Sequence, residues 1–228
     1  MTSPASASRR HVFEDTDALA QGAAQAVAAY LGEEVRAHGS ASLMLTGGST
    51  PEKMYSALAS LEVPWPQISL WFGDERAVGP DDDASNYKMV ARTLLHAAGG
   101  ARCERMRGEA AELEAEAARY AALLPEPISL LLLGVGEDAH VASLFPGHAA
   151  LHERTREVIV VRDSPKPPPT RLSITPRVIE SARAIFVLAA GAGKAAALAA
   201  GLAEGSALPL ALAARAELFL DRAAASRL

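Results

Sequence analysis

This chain of 228 residues has one cysteine, few aromatics and no long uncharged apolar run, and each scarcity excludes something. A lone thiol, Cys103, forms no intrachain disulfide and cannot build a cysteine zinc cluster. Set between Arg102 and Glu104, it also has no neighbouring base to make it a nucleophile. Aromatics are 5% of a chain that is 50% hydrophobic, so Ala and Leu must fill the core, a composition that favours helices. Without a span of about 20 apolar residues, no membrane partner is expected. Residues 1–10 are small and polar, and no apolar segment follows Arg9 and Arg10. They read as a disordered N-terminal tail rather than a signal peptide, and the expected location is the cytoplasm.

Positive charge is also in short supply: 22 Lys and Arg against 27 Asp and Glu leave a net −5. That balance lacks the basic face a nucleic-acid partner requires. It does not argue against an anionic metabolite, because a phosphate site needs only a few local donors. No H-E-x-x-H or clustered His/Asp pattern occurs, so neither a metal nor a cofactor is expected.

What is present is an alternation of two periods. Phe13 to Ala37 reads as an amphipathic helix, with Val27, Ala28, Leu31 and Val35 near helical spacing. Helices are also expected from Pro51 to about Leu61, with Thr50 as N-cap, from Ser85 to about His96 and from Gly108 to Leu124. Two more should open at Thr175-Pro176 and after Lys194. Strands are expected at Ser42–Leu45, Ile68–Phe72, Ile128–Leu133, Val158–Val161, Arg171–Ile174, Ala184–Leu188 and Glu217–Leu220. The unbroken apolar run at 128–133 is the mark of a parallel strand covered on both faces. The class is therefore α/β: residues 11–228 form a single domain, a mainly parallel sheet flanked by helices on both faces in Rossmann-like fashion.

In such sheets ligands sit beyond the carboxyl ends of the strands, and the unusual residues collect there. Thr46-Gly-Gly-Ser-Thr-Pro51 follows a strand and opens a helix. Gly47 and Gly48 let the backbone approach a ligand, Ser49 and Thr50 can donate to it, and the helix start favours an anion. A plain capped turn would look the same. Gly193-Lys194 adds a cation at a second helix start, where an anion or solvent could satisfy it, but no Walker loop precedes it. Gly134-Val-Gly-Glu-Asp-Ala139 matches a dinucleotide fingerprint only superficially, since Pro146-Gly147 cuts the helix that should follow. A better use of that loop is Asp138 with His140, a carboxylate orienting a general base. Neither Ser49 nor Ser143 lies in a nucleophile elbow. Of Asp74 and Glu75, neighbours on an extended segment, at most one can face the cleft.

Several motifs in order, Thr46–Pro51, Trp71-Phe-Gly-Asp-Glu-Arg76 with Ser85-Asn-Tyr87, Gly134–Gly147, Pro168-Pro-Thr-Arg171 and Gly191-Ala-Gly-Lys194, resemble the bacterial 6-phosphogluconolactonases over nearly the whole chain. The resemblance implies a fold similar to sugar-phosphate isomerases and hydrolysis of a phosphorylated sugar lactone in the pentose phosphate pathway. It implies His140 as base, oriented by Asp138. Substrate contacts are implied for Gly47, Gly48, Ser49, Thr50, Asp74, Arg76, Asn86, Ser143, Arg171 and Lys194, and a functional link to glucose-6-phosphate dehydrogenase follows from the pathway. The oxyanion donor stays open between backbone N–H groups and a cation such as Arg76.

One departure stands out. Ala139 occupies a position where that family usually carries glycine, and a left-handed backbone there would cost alanine about 1 kcal/mol. Two other readings share the motifs. A glucosamine-6-phosphate deaminase would be expected to carry Asp-Glu-Tyr at 74–76 and Phe-Asn-Glu-Pro at 143–146. A non-catalytic sugar-phosphate sensor would have kept the cradle and lost the base.

Overall fold

The computed structural model describes residues 9–228; residues 1–8 of the expected tail lie outside them. The strands are β1 (Arg10–Phe13), β2 (Ala41–Leu45), β3 (Ile68–Phe72), β4 (Asp74–Arg76), β5 (Arg102–Cys103), β6 (Leu130–Gly134), β7 (Val158–Val161), β8 (Arg171–Ile174), β9 (Ala184–Ala189) and β10 (Glu217–Asp221). The helices are α1 (Thr16–His38), α2 (Ser49–Leu58), α3 (Asn86–Val90), α4 (Leu113–Ala121), α5 (Pro176–Ser181) and α6 (Ala195–Gly201).

Seven strands pair in parallel in the order β1-β10-β9-β6-β2-β3-β5. Their side chains alternate between two apolar layers, as period-2 geometry requires. Leu43, Leu45, Leu130, Leu132, Phe186 and Leu188 face α1 and α2. Met44, Leu131, Leu133, Ile185 and Val187 face the opposite core, which holds residues of α4, α5 and α6. Burial on both faces explains why these strands read as continuous apolar runs.

Several features differ from the sequence expectation, among them the short strands β4 and β5, which it did not contain. β7 and β8 do not join the main sheet; they pair antiparallel with each other and with β4 in a separate three-stranded sheet. β1 begins at Arg10, so the boundary drawn after residue 10 falls inside a strand, one whose exposed, four-residue edge carries little pattern. The helix expected at 108–124 is trimmed to α4, because the segment before it is spent on turns, with Gly108 N–H donating to Met106 C=O and Ala110 N–H to Arg107 C=O.

The strand order reverses beside β2. The chain steps outward through β3 and β5, then returns to the other side of β2 with β6 and continues to β9 and β10. A crevice opens at such a switch point, beyond the carboxyl ends of β2 and β6. Two tyrosines hold neighbouring strand ends at its floor. The Tyr55 hydroxyl accepts from Thr46 N–H and donates to Thr46 C=O, both at 2.9 Å. From the other face, the Tyr120 hydroxyl does the same for Phe72 at 2.7 and 3.2 Å.

Candidate active site

The loop after β2 and the loop after β6 meet across the crevice, where Gly134 N–H donates to Thr46 Oγ1 at 3.4 Å. α2 starts at Ser49, two residues earlier than expected, with Gly48 as its cap. Because that cap uses no side chain, the Ser49 and Thr50 hydroxyls are not consumed by capping. A cavity of about 210 Å³ lies against this helix start. Its walls include Gly47, Gly48, Ser49, Thr50, Asp74, Arg76, His140, Arg171 and Lys194, nine of the residues expected from sequence. A larger hollow of about 470 Å³ between α4 and α5 contains none of them.

The other three expected residues stand behind the wall and support it. Asn86 donates to the Asp74 carbonyl at 2.9 Å and to its carboxylate at 3.2 Å. It also lies close against Gly47, where a Cβ would come 2.0 Å from Asn86 Oδ1, so residue 47 must be glycine for the two loops to pack. Ser143 donates to Asp74 Oδ2 at 2.7 Å. Asp138 accepts from His140 Nδ1 at 2.5 Å.

Of the adjacent carboxylates, Asp74 faces the cavity. Glu75 turns away and accepts from the backbone N–H groups of Arg76, Asn86 and Tyr87 and from the Ser85 hydroxyl, closing the start of α3. Burial pushes the Glu75 carboxyl above its ordinary value, and the three backbone donors offset part of that.

An ionised carboxylate only accepts, so His140 carries its proton on Nδ1 and leaves the Nε2 lone pair free. Burial pushes the imidazole below its ordinary value; Asp138 and Asp74 pull it up, and the Lys166 charge pushes it further down. Burial also raises the Asp138 carboxyl, but the hydrogen bond and charge of His140 outweigh that and hold it low. The result near pH 7 is a neutral imidazole fixed in one tautomer by a carboxylate, the arrangement of a general base. The Phe145 ring, 4.6 Å from the imidazole, closes its other side.

Ala139, between the pair, has φ 65° and is fully buried. The glycine-like conformation is therefore required, and alanine adopts it. Its N–H donates to Gly136 C=O at 3.0 Å and its carbonyl accepts from Leu210 N–H at 3.1 Å, which pins the turn despite the cost. Asp138 and His140 remain in contact.

Four cations line the cavity against one carboxylate, Asp74. Arg171 is buried and spends its donors on Ser143 Oγ and on the Lys166, Pro167 and Pro168 carbonyls. Arg76 donates to Ala84 C=O, while its Nε is buried without a partner. Lys194 follows Gly191, whose N–H is held by the Asp221 carboxylate at the end of β10. Lys166, the fourth, escaped the sequence reading: nothing marks a lysine among prolines as part of a site until the 163–169 loop folds over the crevice. Among the described residues, no group of three or more His, Cys, Asp or Glu side chains could hold a metal ion. No helix among them is long and apolar enough to cross a membrane.

Residues 14–220 match the family described as glucosamine-6-phosphate isomerases/6-phosphogluconolactonase. A 6-phosphogluconolactonase from Streptomyces coelicolor is 37% identical, covering 95% of this chain and 93% of that protein. One from Mycobacterium tuberculosis is 35% identical over 82% of this chain and 83% of its own. The crystal structure of a 6-phosphogluconolactonase from Shewanella baltica superposes with a TM-score of 0.87 at 27% identity, covering 95% of this chain and 99% of that one. A monomeric glucosamine-6-phosphate deaminase also superposes, with a TM-score of 0.81 at 25% identity over 96% and 100% of the two chains. Fold alone does not separate the two activities.

Proposed function

The chain belongs to the glucosamine-6-phosphate isomerase/6-phosphogluconolactonase family, and on that footing we propose that it hydrolyses 6-phospho-D-glucono-1,5-lactone to 6-phosphogluconate in the pentose phosphate pathway. The observation that carries this reading is a neutral, carboxylate-oriented His140 opening into a small cavity lined by four cations.

A lactone is an activated ester, so no covalent nucleophile is required. His140 Nε2 takes a proton from water as the water oxygen bonds to C1, and the carbonyl π pair moves onto the exocyclic oxygen. When that pair returns, the bond from C1 to the ring oxygen breaks. The ring oxygen takes the proton back from His140, leaving the open-chain acid. Anchoring the phosphate at the α2 start and the cationic wall holds C1 in register with the base.

The deaminase reading is weaker at two positions. Arg76 stands where that chemistry would be expected to show tyrosine, and the buried, apolar Phe145 stands where it would show a carboxylate. The sensor reading loses its motive, because the Ala139 substitution leaves the Asp138–His140 pair in contact. The same proposal extends to a cytoplasmic setting and to a functional link with the dehydrogenase that forms the lactone, glucose-6-phosphate dehydrogenase.

The test supplies freshly made lactone to the purified protein and follows acid release. Acceleration over spontaneous hydrolysis, lost in His140→Ala, is the expected result. Wild-type protein that adds nothing to the spontaneous rate overturns the reading, and ammonia release from glucosamine 6-phosphate would transfer it to the deaminase.

A further inference from the structure

Resting on the lactonase reading, we propose that the Lys166 ammonium is the cation that receives the developing oxyanion at C1, while Lys194 and the 47–50 loop hold the distant phosphate.

The four cavity cations sort by what already occupies them. Arg171 is committed to Ser143 and three loop carbonyls, and it lies 4.0 Å from Asp74. Arg76 pairs with no carboxylate among the described residues, but its guanidinium is anchored on the Ala84 carbonyl with Nε buried, and its charge acts on Arg171. Lys166 and Lys194 pair with no carboxylate among the described residues, so both ammonium groups are available to a ligand.

These two lysines enter the cavity from different segments of the chain. Lys194 follows β9 and lines the same cavity as Ala189 and the α2 start. Lys166 reaches in from the loop between β7 and β8 and stands near enough to His140 for its charge to act on the ring. A cation that shares this small cavity with the base is placed to meet the oxygen on the carbon that the base-activated water attacks.

The Lys166 backbone is held in advance, as an oxyanion donor requires. Its carbonyl accepts from Ser164 Oγ at 2.9 Å and from Arg171 Nη2 at 3.1 Å. Its N–H donates to Ser164 Oγ at 3.3 Å, and Ser164 N–H closes the loop on Pro169 C=O at 2.9 Å. Pro165 and Pro167 on either side restrict the remaining torsions. Arg171 thereby acts through Lys166: buried, it secures the loop that presents the ammonium.

The experiment compares Lys166→Met, Lys166→Arg and Lys194→Ala in the full chain, each checked for native circular dichroism. Lys166 is half-buried at a cavity wall, so Lys166→Met removes a charge without opening the core. In Lys166→Met, kcat should fall by about 10²–10³-fold with KM nearly unchanged, the pattern of an interaction made only in the transition state. The acid limb of kcat/KM should also move to higher pH. The charged groups affecting His140 are Asp138, Asp74 and Lys166, with Arg76, Arg171 and Lys194 sharing the cavity, and losing one positive neighbour raises the imidazole pKa. Lys166→Arg should keep the limb in place, and Lys194→Ala should raise KM more than it lowers kcat. If folded Lys166→Met keeps its kcat and raises KM, or leaves the acid limb unmoved, the proposal is overturned. A wild-type protein without lactonase activity would instead sink the parent reading.

Discussion

A Cβ placed on Gly136 would lie 2.0 Å from Nδ1 of His140 and 2.3 Å from Oδ1 of Asp138. The Asp138–His140 pair is packed against bare backbone, and any side chain at 136 must displace one of its members. Gly136→Ala is expected to keep the fold, since the residue lies in a loop beyond β6. Activity should drop by about 10²-fold, the usual consequence of shifting a catalytic group by roughly 1 Å. Steady-state kinetics with a circular dichroism control checks this; a fully active variant would show that His140 need not stay where it is.

Asp138→Asn should leave substrate affinity nearly intact and lower kcat on the order of 10²-fold, because the amide can donate as well as accept and no longer fixes the imidazole tautomer. Removing the carboxylate also removes a charge that raises the His140 pKa. The acid limb of kcat/KM should therefore move to lower pH even as the maximum falls. A limb that moved upward would contradict the geometry.

Acidification should cost stability through the same pair. Both groups have folded-state pKa values below their ordinary ones. Each therefore contributes stability that is present above its unfolded pKa and lost as pH falls through the folded one. For His140 the loss begins below about pH 6.5, and for Asp138 below about pH 4. Urea titrations at pH 7.5 and 5.5 compare the imidazole contribution, and His140→Gln should flatten the difference between them.

Ala139→Gly should stabilise the protein by about 1 kcal/mol, because glycine takes φ 65° without the steric cost alanine bears. In a domain of this size that corresponds to a rise in Tm of roughly 2–4 °C. Activity should be unchanged. Ala139→Val should instead destabilise strongly, since a β-branched residue in this conformation is a genuine outlier.

Tyr55→Phe tests the clamp on the β2 end. The buried Thr46 N–H and C=O both lose their partner, at a cost of about 1–3 kcal/mol per orphaned group. Thermal denaturation gives the loss, and a rise in KM should accompany it because the Gly47–Thr50 loop starts there.

Much of this protein was legible in the residues taken in order. Parallel strands buried on both faces have no polar side to mix in, so β2, β3, β6, β9 and β10 stand out as apolar runs whatever the rest of the chain does. The residues that break those runs must sit at strand ends, and the Gly-rich segments after β2 and β6 are therefore readable as site loops. The Asp138–His140 pair was legible for a related reason: partners two residues apart in one tight turn meet by local geometry alone.

Tertiary structure decided whatever depends on contacts between distant segments. Which of Asp74 and Glu75 faces the cavity follows from β4 pairing with β8, and from Ser85, Asn86 and Tyr87 claiming the Glu75 carboxylate. Asn86 and Ser143 proved to brace the wall rather than line it, because each is hydrogen-bonded to Asp74 from a separate loop. Lys166 could not be found in sequence, since only the fold of β7 and β8 outside the main sheet carries its loop to His140. The left-handed turn at Ala139 was likewise a question in sequence, and packing answered it: a hydrogen bond to Gly136 C=O and one from Leu210 N–H hold a conformation that alanine would not choose.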